Sequence, residues 1–216
     1  GYIHPNLGSE WIDYSKFSKT STDGILFTPS LGFISRDLEL IKKASKLFIN
    51  EDLEKKAIKL AVDSEISEND WFSKNQFMIV EPHNFDYKYE ASREDLINAL
   101  EVLLSDFDIV VSKEGPIDTY GIGETLFGHF DEQTRAMQVQ GKKGFIRVVN
   151  MCNLVGLIVP SSDFSTGYLI VGKVQDSIVT SMFELAEVLI AQDDAMINTY
   201  FLDQLSYFSY GYNHNN

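Results

Sequence analysis

This chain of 216 residues contains little cysteine and no long apolar run, and each shortage excludes a class of protein. With one cysteine, Cys152, the chain cannot form an intramolecular disulfide. Such a low cysteine content is typical of proteins in a reducing compartment. No stretch approaches the roughly 18 consecutive apolar residues that a membrane-spanning helix requires. We therefore expect a cytoplasmic protein that stays away from membranes. Cys152 lies in an apolar run and is interpreted as a small buried hydrophobe.

Positive charge is scarce as well, with 18 basic against 32 acidic residues and a net charge of −14. Such a surface repels phosphate backbones, so no nucleic-acid partner is expected. No lysine or arginine follows Lys173, which gives residues 174–216 a net charge of −6. The six acids of that segment are Asp176, Glu184, Glu187, Asp193, Asp194 and Asp203. They form either a solvated helix face or a surface that docks a basic protein partner.

The first half of the sequence predicts an N-terminal helical hairpin over about 35–66. Ser35 and Asn50 are suitable N-caps, and apolar residues recur behind each of them at helical spacing. The outer face of this hairpin carries Lys42, Lys43, Lys46, Lys55, Lys56 and Lys59. It has neither arginine nor interleaved aromatic residues, so we interpret it as a solvated face.

Strands and one helix are predicted after the hairpin. The apolar run at 76–82 ends at a proline and is typical of a buried strand. The alternating run "FDYKYEA" that follows predicts a half-buried strand with its aromatic residues on one face. Ser92 then caps a helix that extends to about Ser105, and a short strand covers 108–111.

The second half predicts a β-meander and a long helix. "GFIRVVNMCNLVGLIVP" and "GYLIVGKV" are β-rich and are joined by the polar "SSDFST", which favours a hairpin. "RAMQVQ" would add a third strand to the meander. From Asp176 the apolar residues step by three, four or seven and fall on more than one stripe, so this helix must be covered on several sides. The sheet and the N-terminal helices could cover it, or a second copy could do so in a homodimer.

Together these elements predict one α+β domain over 1–216. It would contain the N-terminal helical hairpin, a mixed or antiparallel sheet with a C-terminal β-meander, and a long C-terminal helix packed on the sheet. A division into a helical part at 1–75 and a sheet-plus-helix part at 76–216 is the alternative.

The segment "GIGETLFGHFDEQ" at 121–133 concentrates reactive residue types. It is not a phosphate-binding loop, because it contains no lysine, its glycine spacing is wrong and a strand is predicted after it. His129, Asp131 and Glu132 are competent metal ligands, with His83 as a partner from another element. Solvated polar residues beside a turn are the alternative interpretation.

The hairpin "NLVGLIVPSSDFSTGYLIVG" resembles the strand–turn–strand unit that closes small sensory folds of the GAF or PAS kind. Such modules often pass a signal onward through the helix that follows the hairpin. The resemblance implies a ligand pocket under the hairpin, lined by phenylalanine and tyrosine residues. It carries over no individual site residue.

Three functions follow from these observations. The first is a non-catalytic acidic protein-interaction module with no cofactor, a neutraliser of a basic partner or a subunit of a larger assembly. Its expected contact residues are Glu184, Glu187, Asp193, Asp194, Tyr200 and Tyr207. The second is a sensory domain for a small molecule, and the third is a metal-assisted hydrolase that uses His129, Asp131 and Glu132.

Overall fold

A computed structural model describes most of the chain between residues 13 and 190. The described residues are 13–21, 23–29, 32–35, 37–50, 57–68, 72, 78–116, 141–163 and 166–190. Their helices are α1 (Leu38–Ser45), α2 (Ser64–Ser67), α3 (Arg93–Asp106) and α4 (Asp176–Ile190). The strands are β1 (Lys19–Thr20), β2 (Leu26–Phe27), β3 (Ile58–Asp63), β4 (Met78–His83), β5 (Ile109–Glu114), β6 (Val155–Pro160) and β7 (Gly167–Gly172).

The main sheet is mixed and has five strands in the order β4-β3-β5-β7-β6. Strands β4, β3 and β5 are parallel to one another. The β6–β7 hairpin adds to β5 in antiparallel fashion, with β7 next to β5. Strands β1 and β2 form a separate antiparallel ribbon. The fold is therefore α+β, as the sequence predicts.

Helices cover both faces of this sheet. On one face Leu60, Val62 and Ile170 pack against α1 and α4. On the other face Ala61, Val110 and Val171 pack against α3 and the chain at 145–154. Because successive side chains of a strand point to opposite faces, the apolar stretches 60–62 of β3 and 109–111 of β5 are buried on both sides of the sheet.

Helix α3 and the β6–β7 hairpin confirm their predictions, although the β-rich run at 144–160 is a strand only at Val155–Pro160 and contains a turn of 3₁₀-helix at Phe145–Arg147. The Ser92 hydroxyl accepts a hydrogen bond from the Asp95 amide at 3.1 Å and caps α3, which buries Leu96, Leu100 and Leu104. The strand predicted at 108–111 is present as β5 and extends to Glu114. Residues 135–140, the predicted third strand of the meander, lie outside the described residues.

Three local predictions are wrong. Residues 58–63 form strand β3 in the middle of the sheet, not the second helix of a hairpin. Asp86–Tyr89 is a turn of 3₁₀-helix, not a half-buried strand. The N-cap of α1 is Asp37, whose carboxylate accepts from the amides of Glu39 and Leu40, while the Ser35 hydroxyl accepts from Asp37 itself. Only the first helix of the predicted hairpin is present among the described residues.

Helix α4 packs on β6 and β7, as predicted for the C-terminal helix. It approaches β7 closely at Gly172, where a Cβ atom would lie 2.6 Å from Ile178 Cγ2. Its other apolar side faces α1, since Ile41 and Ser45 share a small apolar cavity with Val179 and Phe183. The sheet and α1 therefore cover both apolar sides of α4, and a second copy is not needed to bury them. None of the helices in the described part of the chain is long and apolar enough to cross a bilayer.

Candidate functional site

The carboxyl ends of β3, β4 and β5 meet at one edge of the sheet because these strands are parallel. The connection after β3 places Ile66 and Phe72 on the face covered by α1 and α4. The connection after β4 places α3 on the opposite face. Where the connections of neighbouring strands leave on opposite faces, a crevice opens at the carboxyl ends, and open α/β sheets bind their ligands there. This edge is the candidate site.

A cleft of about 810 Å³ lies at this edge. Its walls come from the residues that follow β3 and β4, from the end of β5 and from the β6–β7 turn. The charged side chains of its lining are Glu65, Asp86, Glu90, Asp163, Lys113 and Lys142. Tyr89 is the only aromatic residue among the described lining residues.

Three charged side chains, Asp63, Lys88 and Glu114, are almost completely buried beneath the cleft. We refer to them as the buried ionic cluster. Asp63 ends β3, Glu114 ends β5, and Lys88 belongs to the turn after β4. Lys88 Nζ donates to Asp63 Oδ2 at 2.5 Å and lies 4.9 Å from the centre of the Tyr89 ring. A buried carboxylate costs much free energy unless it is paired, so Lys88 makes the burial of Asp63 tolerable.

Glu114 connects the end of β5 to the chain at 144–145. Its carboxylate accepts hydrogen bonds from the Gly144 amide at 2.5 Å, the Phe145 amide at 3.0 Å and the Ser112 hydroxyl at 3.1 Å. Burial raises the pKa of Glu114, and the Gly144 amide and nearby Lys88 oppose that rise. A Cβ atom on Gly144 would lie 2.6 Å from Lys88 Cγ, so glycine is needed where these side chains converge.

Arg147 holds the backbone around Lys88 in place through hydrogen bonds to carbonyl oxygens. Its guanidinium donates to the carbonyl oxygens of Lys88 at 3.0 Å and Ala91 at 2.7 Å. The Tyr89 hydroxyl donates to the Lys113 carbonyl at 3.1 Å and so ties the turn after β4 to β5. Burial, followed by the charge of Glu114, raises the pKa of Tyr89. The floor of the cleft is therefore held by hydrogen bonds that link three strand ends.

Among the described residues, the rim of the cleft carries four exposed carboxylates and two lysines. Lys113 Nζ lies 2.8 Å from Asp163 Oδ2 and 3.5 Å from Glu65 Oε2. The hydrogen bond to Asp163 is the main reason that the pKa of Lys113 is raised. Lys142 Nζ lies 5.4 Å from the centre of the Tyr89 ring. The described part of the rim consequently has a net negative charge and is suited to a cationic group.

Of the candidate metal ligands that the sequence offers, only His83 lies among the described residues. His83 lies against two aromatic rings, stacked on Phe85 at 5.8 Å and edge-on to Phe107 at 5.0 Å. No group of three or more histidine, cysteine, aspartate or glutamate side chains in the described part of the chain is placed to hold a metal ion. His129, Asp131 and Glu132 lie outside the described residues, so their role stays a prediction.

The expected partner-contact residues fall partly on α4. Glu187 is exposed, and its Oε1 lies 2.6 Å from Lys42 Nζ of α1, while Glu184 is half-buried. Asp193, Asp194, Tyr200 and Tyr207 lie outside the described residues. Cys152 is half-buried, and burial raises the pKa of its thiol to about 12, so it is a poor nucleophile.

Sequence reasoning missed the buried ionic cluster. An alternating strand at 85–91 would have placed Lys88 on the solvated side, whereas the 3₁₀ turn buries it. The sequence does contain a signal for it, because Asp63 and Glu114 are carboxylates that each follow a short apolar run and end a strand. Carboxyl ends of parallel strands share one edge of a sheet, so the two acids are placed to converge.

Comparison with known proteins identifies no relative. No family model matches the sequence, and no curated protein matches it. A crystal structure of a glutamyl-tRNA(Gln) amidotransferase subunit from Thermotoga maritima is similar over 62% of this chain and 42% of that one, with 16% sequence identity and a TM-score of 0.33. This chain spans about two fifths of that protein's length, and a likeness at that level carries no argument about function.

Proposed function

We propose that this chain is a non-catalytic binding module whose cleft takes a basic segment of a protein partner. The observation that carries the proposal is the position of the acidic rim. Glu65, Asp86, Glu90 and Asp163 surround a crevice at the carboxyl ends of parallel strands, where open α/β sheets bind ligands. A chain of net charge −14 also attracts a basic partner from a distance.

The buried ionic cluster supports a role in binding rather than in catalysis. Asp63, Lys88 and Glu114 are almost inaccessible and are bound to one another or to backbone amides. A general acid or base must come within hydrogen-bond reach of the substrate, which these groups do not. They hold the floor of the cleft rigid. Asp86 and Glu90 above them are placed to meet a partner, whereas Glu65 and Asp163 share Lys113.

The cleft is a better-supported contact surface than α4. The carboxylate of Glu187 already faces Lys42 of the same chain. Asp86 and Glu90, by contrast, lie at the mouth of the cleft. The proposal also keeps four contact residues that rest on the sequence alone: Asp193, Asp194, Tyr200 and Tyr207.

A charge-neutralising pair of variants tests the proposal. A fluorescent lysine-rich peptide is titrated against the full chain, against Asp86→Asn/Glu90→Gln and against the control Glu101→Gln/Asp106→Asn. The control removes the same charge from the exposed side of α3. Exposed charge pairs contribute about 0.2–1 kcal/mol each, so the cleft variant should bind about two- to thirty-fold more weakly at low salt.

The control should bind nearly as well as the parent chain. Equal weakening by both variants would mean that the peptide responds only to net charge, which contradicts a docking site in the cleft. An acidic peptide of the same length should not bind at all, and salt should weaken the lysine-rich peptide because it screens exposed charges.

A small cationic ligand is the second candidate, favoured by the position of the cleft at a crevice typical of small-molecule sites. A polyamine such as spermidine is the probe. If it raises the melting temperature of the parent chain but not of Asp86→Asn/Glu90→Gln, while the lysine-rich peptide gives no cleft-dependent binding, this second function replaces the first.

A further inference from the structure

The two lysines that line the described part of the cleft differ in how their charge is balanced. Lys113 Nζ lies 2.8 Å from Asp163 Oδ2 and 3.5 Å from Glu65 Oε2, so two carboxylates neutralise it. Lys142 is exposed, and its ammonium forms no ion pair with a carboxylate of the described residues. It lies 5.4 Å from the centre of the Tyr89 ring instead. Lys142 therefore brings a positive charge to the cleft that those carboxylates leave unpaired.

The backbone holds Lys142 beside the end of β5. The Gly115 amide donates to the Lys142 carbonyl at 2.9 Å, and the Lys142 amide donates to the Pro116 carbonyl at 3.1 Å. At the other end of the side chain, the ammonium is close enough to the Tyr89 ring for a cation–π contact. Lys142 is therefore positioned both at its backbone and at its charge.

Two carboxylates of the turn after β4 line the same cleft. Glu90 is exposed and pairs with no lysine or arginine in the part of the chain that the structure describes. Asp86 is also exposed, and its carboxylate accepts a hydrogen bond from the Asn84 side chain at 3.2 Å. A ligand in this cleft of about 810 Å³ thus meets negative charge at the turn and positive charge at Lys142.

A ligand that fills the cleft displaces water from charges of both signs. The loss of water costs a charged group free energy unless an opposite charge replaces the water. Lysine or arginine side chains of a ligand would compensate Asp86 and Glu90, but they would repel Lys142. A carboxylate close to the ligand's cation would compensate Lys142 as well. Electrostatic complementarity of this kind distinguishes one partner from another.

We propose that the cleft selects a mixed-charge segment, in which a lysine or arginine side chain lies next to a carboxylate. The cation binds at Asp86 and Glu90, and the carboxylate binds at Lys142. This inference rests on the proposed function and narrows its ligand to a basic segment with an adjacent acid. The carboxylate belongs either to the C-terminus of the partner or to one of its acidic side chains.

Two pairs of fluorescent lysine-rich peptides test the role of Lys142. The first pair ends in lysine, with either a free carboxylate or an amide. The second pair is amidated and has, in its middle, a lysine followed by either glutamate or glutamine. Each peptide is titrated against the full chain, Lys142→Gln, Lys142→Arg and Lys173→Gln. Lys173 is exposed and follows β7 at the opposite edge of the sheet, so its variant removes the same charge away from the cleft.

Within each pair, the dissociation constant of the neutral form divided by that of the carboxylate form measures what the carboxylate contributes. For at least one pair, Lys142→Gln should lower this ratio about two- to fivefold, the range of an exposed ion pair. Lys142→Arg and Lys173→Gln should leave the ratio close to that of the parent chain. A change in the first pair alone assigns the carboxylate to the C-terminus, and a change in the second pair alone assigns it to a side chain.

The failure of this inference can be told apart from the failure of the proposed function. Equal ratios in the parent chain and Lys142→Gln, with binding still weakened by Asp86→Asn/Glu90→Gln, would overturn only the role of Lys142. An equal fall of the ratio in Lys142→Gln and Lys173→Gln would also overturn it, because net charge would then explain the effect. If Asp86→Asn/Glu90→Gln weakened the binding of none of the four peptides, the proposed function and this inference would both be overturned.

Discussion

At the scale of single residues, the buried ionic cluster brings two carboxylates and one ammonium together out of water. Removing such groups from water costs several kcal/mol per ion, so each must be held by a partner and by hydrogen bonds. Asp63 has Lys88 and the Lys113 amide as donors. Glu114 has two backbone amides and a hydroxyl. Removing one partner of the Lys88–Asp63 pair while the other stays buried should therefore lower the free energy of unfolding strongly.

Lys88→Met should lower the free energy of unfolding by about 3–5 kcal/mol, because Asp63 is left buried without its counter-ion. Adding Asp63→Asn should recover much of that loss, since the amide is neutral and keeps one acceptor oxygen. Urea denaturation at neutral pH measures both variants. Lys16→Met, which removes an exposed ion pair with Asp13, is the control and should change stability little. A loss for Lys88→Met as small as the loss for Lys16→Met would contradict the burial of the pair.

Glu114 should give stability a pH dependence of its own. Its pKa in the folded chain is raised above the ordinary 4.5 by burial, so the folded state holds this proton more tightly than the unfolded state. The stabilising contribution is complete below the ordinary pKa and is lost as pH rises through the raised one. Urea denaturation of the parent chain and of Glu114→Gln from pH 4 upward should show the parent losing stability relative to the variant. A constant difference across that range would show that the pKa is not raised.

At the scale of elements, two misassigned segments show why local patterns mislead. In strand β3 both faces are buried, so Ile58 to Val62 has no clean alternation and also fits a helical pattern. In "FDYKYEA" the alternation is present, yet Asp86–Tyr89 form a turn of 3₁₀-helix that buries Lys88. Phe85 is buried and Tyr87 is 46% exposed in the 3₁₀ turn. The secondary structure of neither segment can be derived from its own residues, because it depends on packing against the rest of the sheet.

Helix α3 can be predicted from the sequence because its start signal is local. Ser92→Ala removes the hydroxyl that accepts from the Asp95 amide and should cost about 0.5–2 kcal/mol of unfolding free energy. Ser92→Thr should restore most of that loss, since its hydroxyl can accept from the Asp95 amide and donate to the Asp95 carboxylate as the serine hydroxyl does. Thermal or urea unfolding of the two variants measures the difference. Equal destabilisation by both variants would mean that the cap contributes little.

At the scale of the whole molecule, the sequence predicts the pieces better than their arrangement. The β6–β7 hairpin, α3 and α4 depend on neighbouring residues, and the sequence predicts all three. The insertion of β7 beside β5, and hence the position of the cleft, depends on pairings between distant parts of the chain. The contacts of the site are just as distant, as with Asp63 and Lys88 or Glu114 and Gly144. No local pattern encodes such contacts.

The position of β7 also affects how the protein is made. One edge of β5 pairs with β3, but its other edge pairs with a strand that ends at Gly172. On the ribosome β5 is thus synthesised well before its partner, and at about 5–20 residues per second that interval lasts several seconds. During it the nascent chain presents an apolar strand with an open edge, the kind of surface that molecular chaperones bind. The yield of folded protein should therefore depend on how quickly the β6–β7 hairpin and α4 are synthesised after β5.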